Sequence, residues 1–306
     1  MNNIELKLLE KIADLHKTPS GAFNIRRNGA PLERNSTKEI EINPKTDKSG
    51  IDIIVHAGVQ GKSVHIPVII TVGGIKDMVY NDFYIGKDAD VLIVAGCGIH
   101  NATCKDSQHD GVHTFYLEEG AKVKYIERHL GEGEGSGKKV LNPVTRVFMK
   151  KNSRMIMETT QLGGVTSTIR KTFAQIGENA RLDIQENILT TEAQTAKTQF
   201  NVRLLGKHSA VDVVSHSVAK DNSYQEFRSN LVGKNECFGH VECDGILLHN
   251  ARIKSVPEID AVDPNSSLEH EAVIGKIAGD ELIKLMTLGL TQSEAEDLII
   301  QGFLLG

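Results

Sequence analysis

Residues 95–113, AGCGIHNATCKDSQHDGVH, gather Cys97, His100, Cys104, His109 and His113 into one short run. Thiolates and imidazoles are the side chains that hold zinc and iron–sulfur centres. His109 and His113 have a spacing seen in zinc sites, but Cys97 and Cys104 do not make a standard knuckle. The two cysteines also have opposite strand parity, so they face one site only if the chain turns between them. GIHNATCKD supplies the turn formers. On spacing alone, zinc held by Cys97, Cys104, His109 and His113, a cluster, and an ordinary core thiol are all open. A second set lies far along the chain: Cys243 in VECDGILL, six residues after Cys237, and then Glu269, His270 and Glu271 in SLEHEA. Cysteine offers a soft, firm ligand and Glu and His more labile ones, a combination suited to a centre that is built and then released. The alternative is a buried structural cysteine. His56, His65 and His249 read as structural or solvent-facing.

The run GEGEGSGKK (131–139) invites a nucleotide reading and fails it. Lys139 stands where a P-loop needs Ser or Thr, and Glu132 stands where it needs Gly. We read the run as a flexible loop, with any ATP site on another chain.

Something must position these residues, and a repeat supplies it. DADV at 88–91 recurs as GAKV (120), NSRM (152), NARL (179), HSAV (208) and NECF (235), with NARI (250) and NSSL (265) at half the period. Each corner has a turn former, usually a small residue, then an apolar position opening a period-two run. Val91, Ile93, Ala95 and Cys97 share one parity, as do Val123 and Tyr125, Leu182 and Ile184, and Val211 and Val213. Strands restarting at a regular interval predict a mainly β chain coiled as a right-handed parallel β-helix, with a β-sandwich as the alternative. The ends differ. Ile4, Leu8, Ile12 and Leu15 mark an amphipathic N-terminal helix, and Asn28-Gly29 marks a hairpin. KEIEI and IDIIV read as early strands. GDELIKLMTLG and TQSEAEDLIIQGF predict closing helices, with Asp280 as an N-cap, Gly289 near a stop, and Thr291 with Glu294 as a capping box. The expected organisation is a helix over 1–20, a β-helix core over 21–274 and a helical segment over 275–306.

Composition narrows the function. The 306 residues carry a formal charge of −5 and no Lys/Arg block, which argues against nucleic acid. VLIVAGCGI, the longest apolar run, is about half of a membrane span, so neither a permease nor membrane attachment is expected. No signal peptide is recognisable, and four cysteines are too few for a disulfide framework. Both observations predict a soluble, cytoplasmic protein.

VECDGILL, SLEHEAVIGKIAGDELIKLMTLGL and SEAEDLIIQGF closely resemble the C-terminal core of the SufB/SufD iron–sulfur cluster assembly proteins. FYLEEGAKVKYIERH and VAKDNSYQEFRSNLVG resemble further core segments of that family. VHIPVIIT, YNDFYIGKDADVLIVAGCGIHN and GEGEGSGKKVLNP resemble its shorter archaeal and anaerobic-bacterial members. The resemblance implies a right-handed β-helix whose C-terminal helices dock a SufC-like ABC ATPase. It implies a non-enzymatic scaffold for a transient iron–sulfur cluster, with ATP hydrolysis in the partner. It places cluster-assembly residues at Cys243 and Glu271, with His270 weaker; GCGIHNATC is outside the family's common core motifs, so Cys97 and Cys104 are candidates from their own residue types and not from the resemblance. A sulfur donor such as a cysteine desulfurase and recipient apo iron–sulfur proteins are the implied partners. The chain is shorter than SufB, so pairing with itself is expected. Two other readings compete. One is a carbohydrate-active β-helix enzyme, disfavoured by the absence of Trp and by 5% aromatics. The other is a structural zinc protein built on the 97–113 cluster.

Overall fold

The computed structural model describes residues 1–17 and 19–305. Helix α1 (Asn3–Ala13) comes first. Strands β1 (Ala22–Arg27), β2 (Ala30–Asn35), β3 (Ile40–Pro44) and β4 (Gly50–Val55) form two antiparallel pairs that start the coil. The rungs continue through β5 (Lys62–Ile70), β6 (Lys76–Ile85), β7 (Asp90–His100), β8 (Ser107–Leu117), β9 (Lys122–Glu132), β10 (Lys139–Leu141) and β11 (Val144–Met149). They go on through β12 (Arg154–Gln161), β13 (Ser167–Ile176), β14 (Arg181–Thr190), β15 (Thr195–Leu204), β16 (Ser209–Ala219), β17 (Tyr224–Gly233), β18 (Cys237–Leu247), β19 (Arg252–Ala261) and β20 (Ser267–Lys276). Helices α2 (Gly279–Thr287) and α3 (Gln292–Leu305) follow.

Alternate strands belong to opposite walls. One wall runs β2-β1-β5-β7-β9-β12-β14-β16-β18-β20. The other runs β19-β17-β15-β13-β10-β8-β6-β4-β3, with β11 bridging β8 and β13. From β5 onward the pairings are parallel, so the chain is a parallel β-helix of about eight turns. Strands in the middle of the coil bury every second side chain between the walls, as Leu182, Ile184, Glu186, Ile188 and Thr190 do along β14. Phe83 stacks on Phe115 at 4.3 Å, and Tyr125 meets Phe115 edge-on at 5.0 Å. Large buried rings of this kind each stabilise by about 1.5–3 kcal/mol.

The repeat positions are the corners of the coil. Asp88, Gly120, Asn152, Asn179 and His208 have φ of 55°, 72°, 60°, 52° and 57°. This left-handed region is open to Gly, Asn and Asp and disfavoured for most other residues. The small residue that follows, Ala89, Ala121, Ser153, Ala180 or Ser209, is fully buried, and its N–H donates to the carbonyl three residues back. Asn235 departs from the pattern and is not left-handed. On the opposite side the left-handed residues are Glu192, Asp221 and His249, one residue before the corner expected at Asn250.

Helix α1 starts with a capping box. Asn2 Oδ1 accepts from the Glu5 N–H at 2.9 Å, and Glu5 Oε2 accepts from the Asn2 N–H at 2.8 Å. Leu8, Leu9 and Ile12 lie on the outer face of β7, while Ile4 turns outward, contrary to the expected stripe. This packing explains an apolar run that is buried on both faces. A Cβ on Gly96 would sit 2.7 Å from the Ile12 carbonyl oxygen, so only glycine lets the helix approach.

The GEGEGSGKK run is not the flexible loop expected. The Gly135 N–H donates to the Asn101 carbonyl (3.0 Å) and the Gly137 N–H to the Thr103 carbonyl (2.9 Å), stacking 133–138 on 101–106. A Cβ at Gly135 would lie 2.3 Å from Thr103 N. The glycines therefore serve close backbone contact. Asp280 does not cap α2. The N-cap is Ala278 without a side-chain bond, and Asp280 lies in the first turn. Thr291 and Glu294 do cap α3 reciprocally. Ile300 and Phe303 of α3 pack with Val218 and Leu248. Among the described residues no helix is long and apolar enough to cross a membrane.

Candidate functional site

The interior is apolar near the start of each inward run and polar further along it. In the first wall, Ala95, Glu127, Thr159, Glu186, Ser215, Cys243 and Ala272 are in register, one per rung. Beside them run Cys97, His129, Gln161, Ile188, Ser217 and Gly245. From the opposite wall, Asp77, Asn81, His109, His113 and Arg170 point inward, all buried.

Every charge in this column is compensated, as burial demands. Arg170 pairs with Glu127 through Nη1 and with Glu186 Oε1 at 3.4 Å through Nε. Its Nη2 donates to His129 Nδ1 at 3.2 Å. Arginine only donates, so His129 carries its proton on Nε2, which lies 3.5 Å from Glu127 Oε1. Ser215 Oγ donates to Glu186 Oε2 at 3.2 Å. At the N-terminal end, Arg26 Nη2 donates to Asp77 Oδ1 at 2.8 Å, and His109 Nδ1 lies 3.2 Å from Asp77 Oδ2. His113 Nδ1 lies 2.7 Å from the Tyr125 hydroxyl, and its Nε2 lies 3.3 Å from Asn81 Nδ2. A cavity of about 10 Å³, room for about one water, is lined by Cys97, His109, His113, Glu127 and His129.

Burial raises Glu127, but Arg170 and then His129 override it and hold the carboxyl well below its ordinary range. Glu186 goes the other way, because its burial outweighs Arg170. Burial takes His113 down to about 4 and also lowers His129, so both imidazoles are neutral at pH 7. Burial, reinforced by Asp77 and Glu127, pushes the Cys97 thiol well up. Burial takes Cys243 up to about 11, with Ser255 pulling against it.

The predicted zinc set does not assemble. Cys97, His109 and His113 share the interior, but Cys104 is exposed on the 101–106 loop. His109 and His113 commit Nδ1 to Asp77 and Tyr125. Among the described residues no group of three or more His, Cys, Asp or Glu side chains is arranged to hold a metal ion.

The second set is divided by the sheet. Cys243 faces inward and is fully buried. His270 pairs in register with Val241 and shares its inward parity, so it is diagonal to Cys243. Its Nε2 is buried with no hydrogen-bond partner. Glu269 and Glu271 have the opposite parity, face outward and are exposed, with Glu271 in register with Glu242. Strands β19 and β20 are the last of their walls, and Ile259, Val262 and Val273 lie exposed there. Cys243 is thus one strand from the open end of the coil.

Sequence reasoning missed Glu127, His129, Arg170 and Glu186. The signal was available. The parity of Val123 and Tyr125, carried on, reaches Glu127 and His129, and that of Leu182 and Ile184 reaches Glu186.

Comparison with known proteins agrees with this architecture. Residues 80–303 match the family model described as SUF system FeS cluster assembly, SufBD core domain. An iron–sulfur cluster assembly SufBD family protein of Methanothermobacter thermautotrophicus (strain Winter) is 30% identical over 231 residues, covering 74% of this chain and 54% of the relative. Its counterpart in Archaeoglobus fulgidus is 26% identical over 231 residues, covering 75% and 61%. One from Pyrococcus horikoshii is 28% identical over 237 residues, covering 76% and 69%. The matched segment spans 54% and 61% of the length of the first two of these relatives. With the matched core running from β6 into α3 and the Cys243 rung inside it, the chain belongs to the SufBD family of iron–sulfur cluster assembly proteins.

Proposed function

We propose that the chain is a non-enzymatic scaffold on which an iron–sulfur cluster, as cargo, is assembled and then passed to recipient apo-proteins. The observation that carries this reading is Cys243, a buried thiol in the last fully covered rung, one strand from an open end. A thiol at about 11 is almost entirely protonated at pH 7, and the thiolate is the metal ligand and nucleophile. In the closed coil Cys243 is dormant, so building a cluster requires the end to open.

Two elements suit that opening. Helix α2 buries no side chain and exposes Ile283 and Met286, with Leu288 exposed at its C-cap, a docking face for a SufC-like ABC ATPase. The open edges of β19 and β20 suit pairing with a second copy, since unpaired edges carrying apolar side chains attract partners. Nucleotide-driven movement of the ATPases biases the end between closed and open states. Opening frees Cys243 as the primary anchor, with His270 on the same face. Glu271, on the outer face, joins only when β20 swings away from β18. Cys97 sits at the far end of the polar column and serves as a secondary thiol, whereas Cys104 is free to react at the surface. A cysteine desulfurase suits the role of sulfur donor, and the cytoplasm keeps the four free thiols reduced.

The test is cluster transfer. Protein loaded anaerobically with iron and sulfide in the presence of the ATPase should convert an apo-ferredoxin to its holo form, and ATP should accelerate the conversion. Transfer no faster than from free iron and sulfide would refute the scaffold reading.

A further inference from the structure

The outer face of the second wall, away from the helices and the open end, is basic although the chain as a whole is acidic at −5. Arg146, Lys171, Lys197 and Arg203 project from β11, β13 and β15, and among the described residues none forms an ion pair. The carboxylates in or beside this face are mostly paired, Glu118 with Lys150, Asp82 with Lys45 and Glu226 with Arg228, and Glu258 adjoins Asn230 at the far end. A row of aromatic rings adjoins these cations, with Phe173 among them. Tyr84, Tyr116 and Phe148 stack in register across β6, β8 and β11 with centroids 5.2 and 5.4 Å apart, and exposed Phe173 lies beside Arg146. Two adjoining grooves of about 440 and 420 Å³ share Phe148 and Gln175. The first takes in Tyr84 and Leu205, and the second takes in Arg146 and Arg203. Six strands run from Tyr84 to Asn230, and their five spacings of about 4.8 Å make a shelf about 24 Å long.

We propose that this shelf is a docking site for an extended acidic peptide segment carrying aromatic or aliphatic side chains, contributed by a partner protein. Three observations select that occupant. Four unpaired cations on a chain of opposite net charge call for carboxylates. The stacked rings beside them call for apolar side chains on the same segment, since a purely acidic chain would leave the rings covered by nothing that gains from their desolvation. The length suits about seven extended residues and exceeds a single small ligand. A nucleic acid also offers negative charge and flat rings. It needs a wider positive field than four cations on a net-acidic protein supply. The inference is independent of the scaffold reading, because it uses no residue of the Cys243 rung.

The test is fluorescence anisotropy with the full chain and a fluorescein-labelled nonapeptide alternating Glu with Leu and Phe. Binding should weaken about tenfold in the double variant Arg146→Glu, Arg203→Glu, and should weaken as salt rises. A second double variant, Phe148→Ser with Phe173→Ser, should also lose affinity while keeping the charge. All four side chains point away from the core, and circular dichroism checks that the variants fold. Undiminished binding by the charge-reversed variant overturns the proposal. So does equal binding of an all-Glu nonapeptide, which would reduce the shelf to a diffuse charge effect. Tighter binding of a nine-nucleotide oligothymidylate also overturns it, in favour of a nucleic-acid surface.

Discussion

Replacing Arg170 with Met keeps the length of the side chain and removes its charge. Two buried carboxylates, Glu127 and Glu186, and one imidazole nitrogen, His129 Nδ1, then lose their shared donor. All are within a few per cent of full burial, so solvent does not screen the loss. Breaking one buried pair destabilises by about 3–5 kcal/mol. We expect the variant to lose about that much at pH 7.5, read from its urea midpoint with the slope unchanged. The pH dependence carries the diagnosis. Glu127 has a folded value depressed below its reference of 4.5, so its contribution is complete above that reference and disappears as pH falls through the folded value. In the variant that contribution is absent, and burial favours the protonated carboxyl. The deficit should therefore be largest at neutral pH and shrink below about pH 5, where the uncompensated carboxyls take up protons. Adding Glu127→Gln to the variant should recover part of the loss. A deficit under about 1 kcal/mol, or one that does not change with pH, would refute the reasoning.

Iodoacetamide followed by mass spectrometry should modify exposed Cys104 first and leave Cys243 nearly untouched at pH 7. At about 11 the thiolate fraction of Cys243 is about one in ten thousand at pH 7, and its rate should climb about tenfold per pH unit towards that value. Gly96→Val should undock α1, because a Cβ there meets the Ile12 carbonyl at 2.7 Å. Limited proteolysis should then cut at residues 14–17, and uncut protein would contradict that packing.

The coil was legible because its corners are local. A residue that tolerates φ above zero, followed by a residue small enough to be fully buried, leaves a mark at Asp88-Ala89, Gly120-Ala121, Asn152-Ser153 and Asn179-Ala180 that needs no knowledge of neighbouring rungs. The Asn28-Gly29 hairpin and the Thr291 cap were legible for the same reason. The geometry of the candidate site was legible only in part. Cys243 and His270 stand out by residue type, but the outward parity of Glu271 depends on how β20 registers against β18, a contact between segments far apart in sequence. The zinc reading of 97–113 failed because closeness in sequence is not closeness in space. Cys104 leaves on a loop that exists to stack against Gly135, while Cys97 turns inward. The compensated column was hidden because a polar residue inside a strand resembles a solvent-facing one until its parity is followed, and Arg170 is recognisable as a partner of Glu127 only once the two walls face each other.

The most direct measurement is Mössbauer spectroscopy of wild type and Cys243→Ser, each reconstituted anaerobically with ⁵⁷Fe and sulfide in the presence of the ATPase, with Cys104→Ser as the comparison. The scaffold account predicts a cluster spectrum in wild type and in Cys104→Ser, and only unbound iron in Cys243→Ser. A cluster that persists without Cys243, or one that disappears with Cys104 instead, would contradict it.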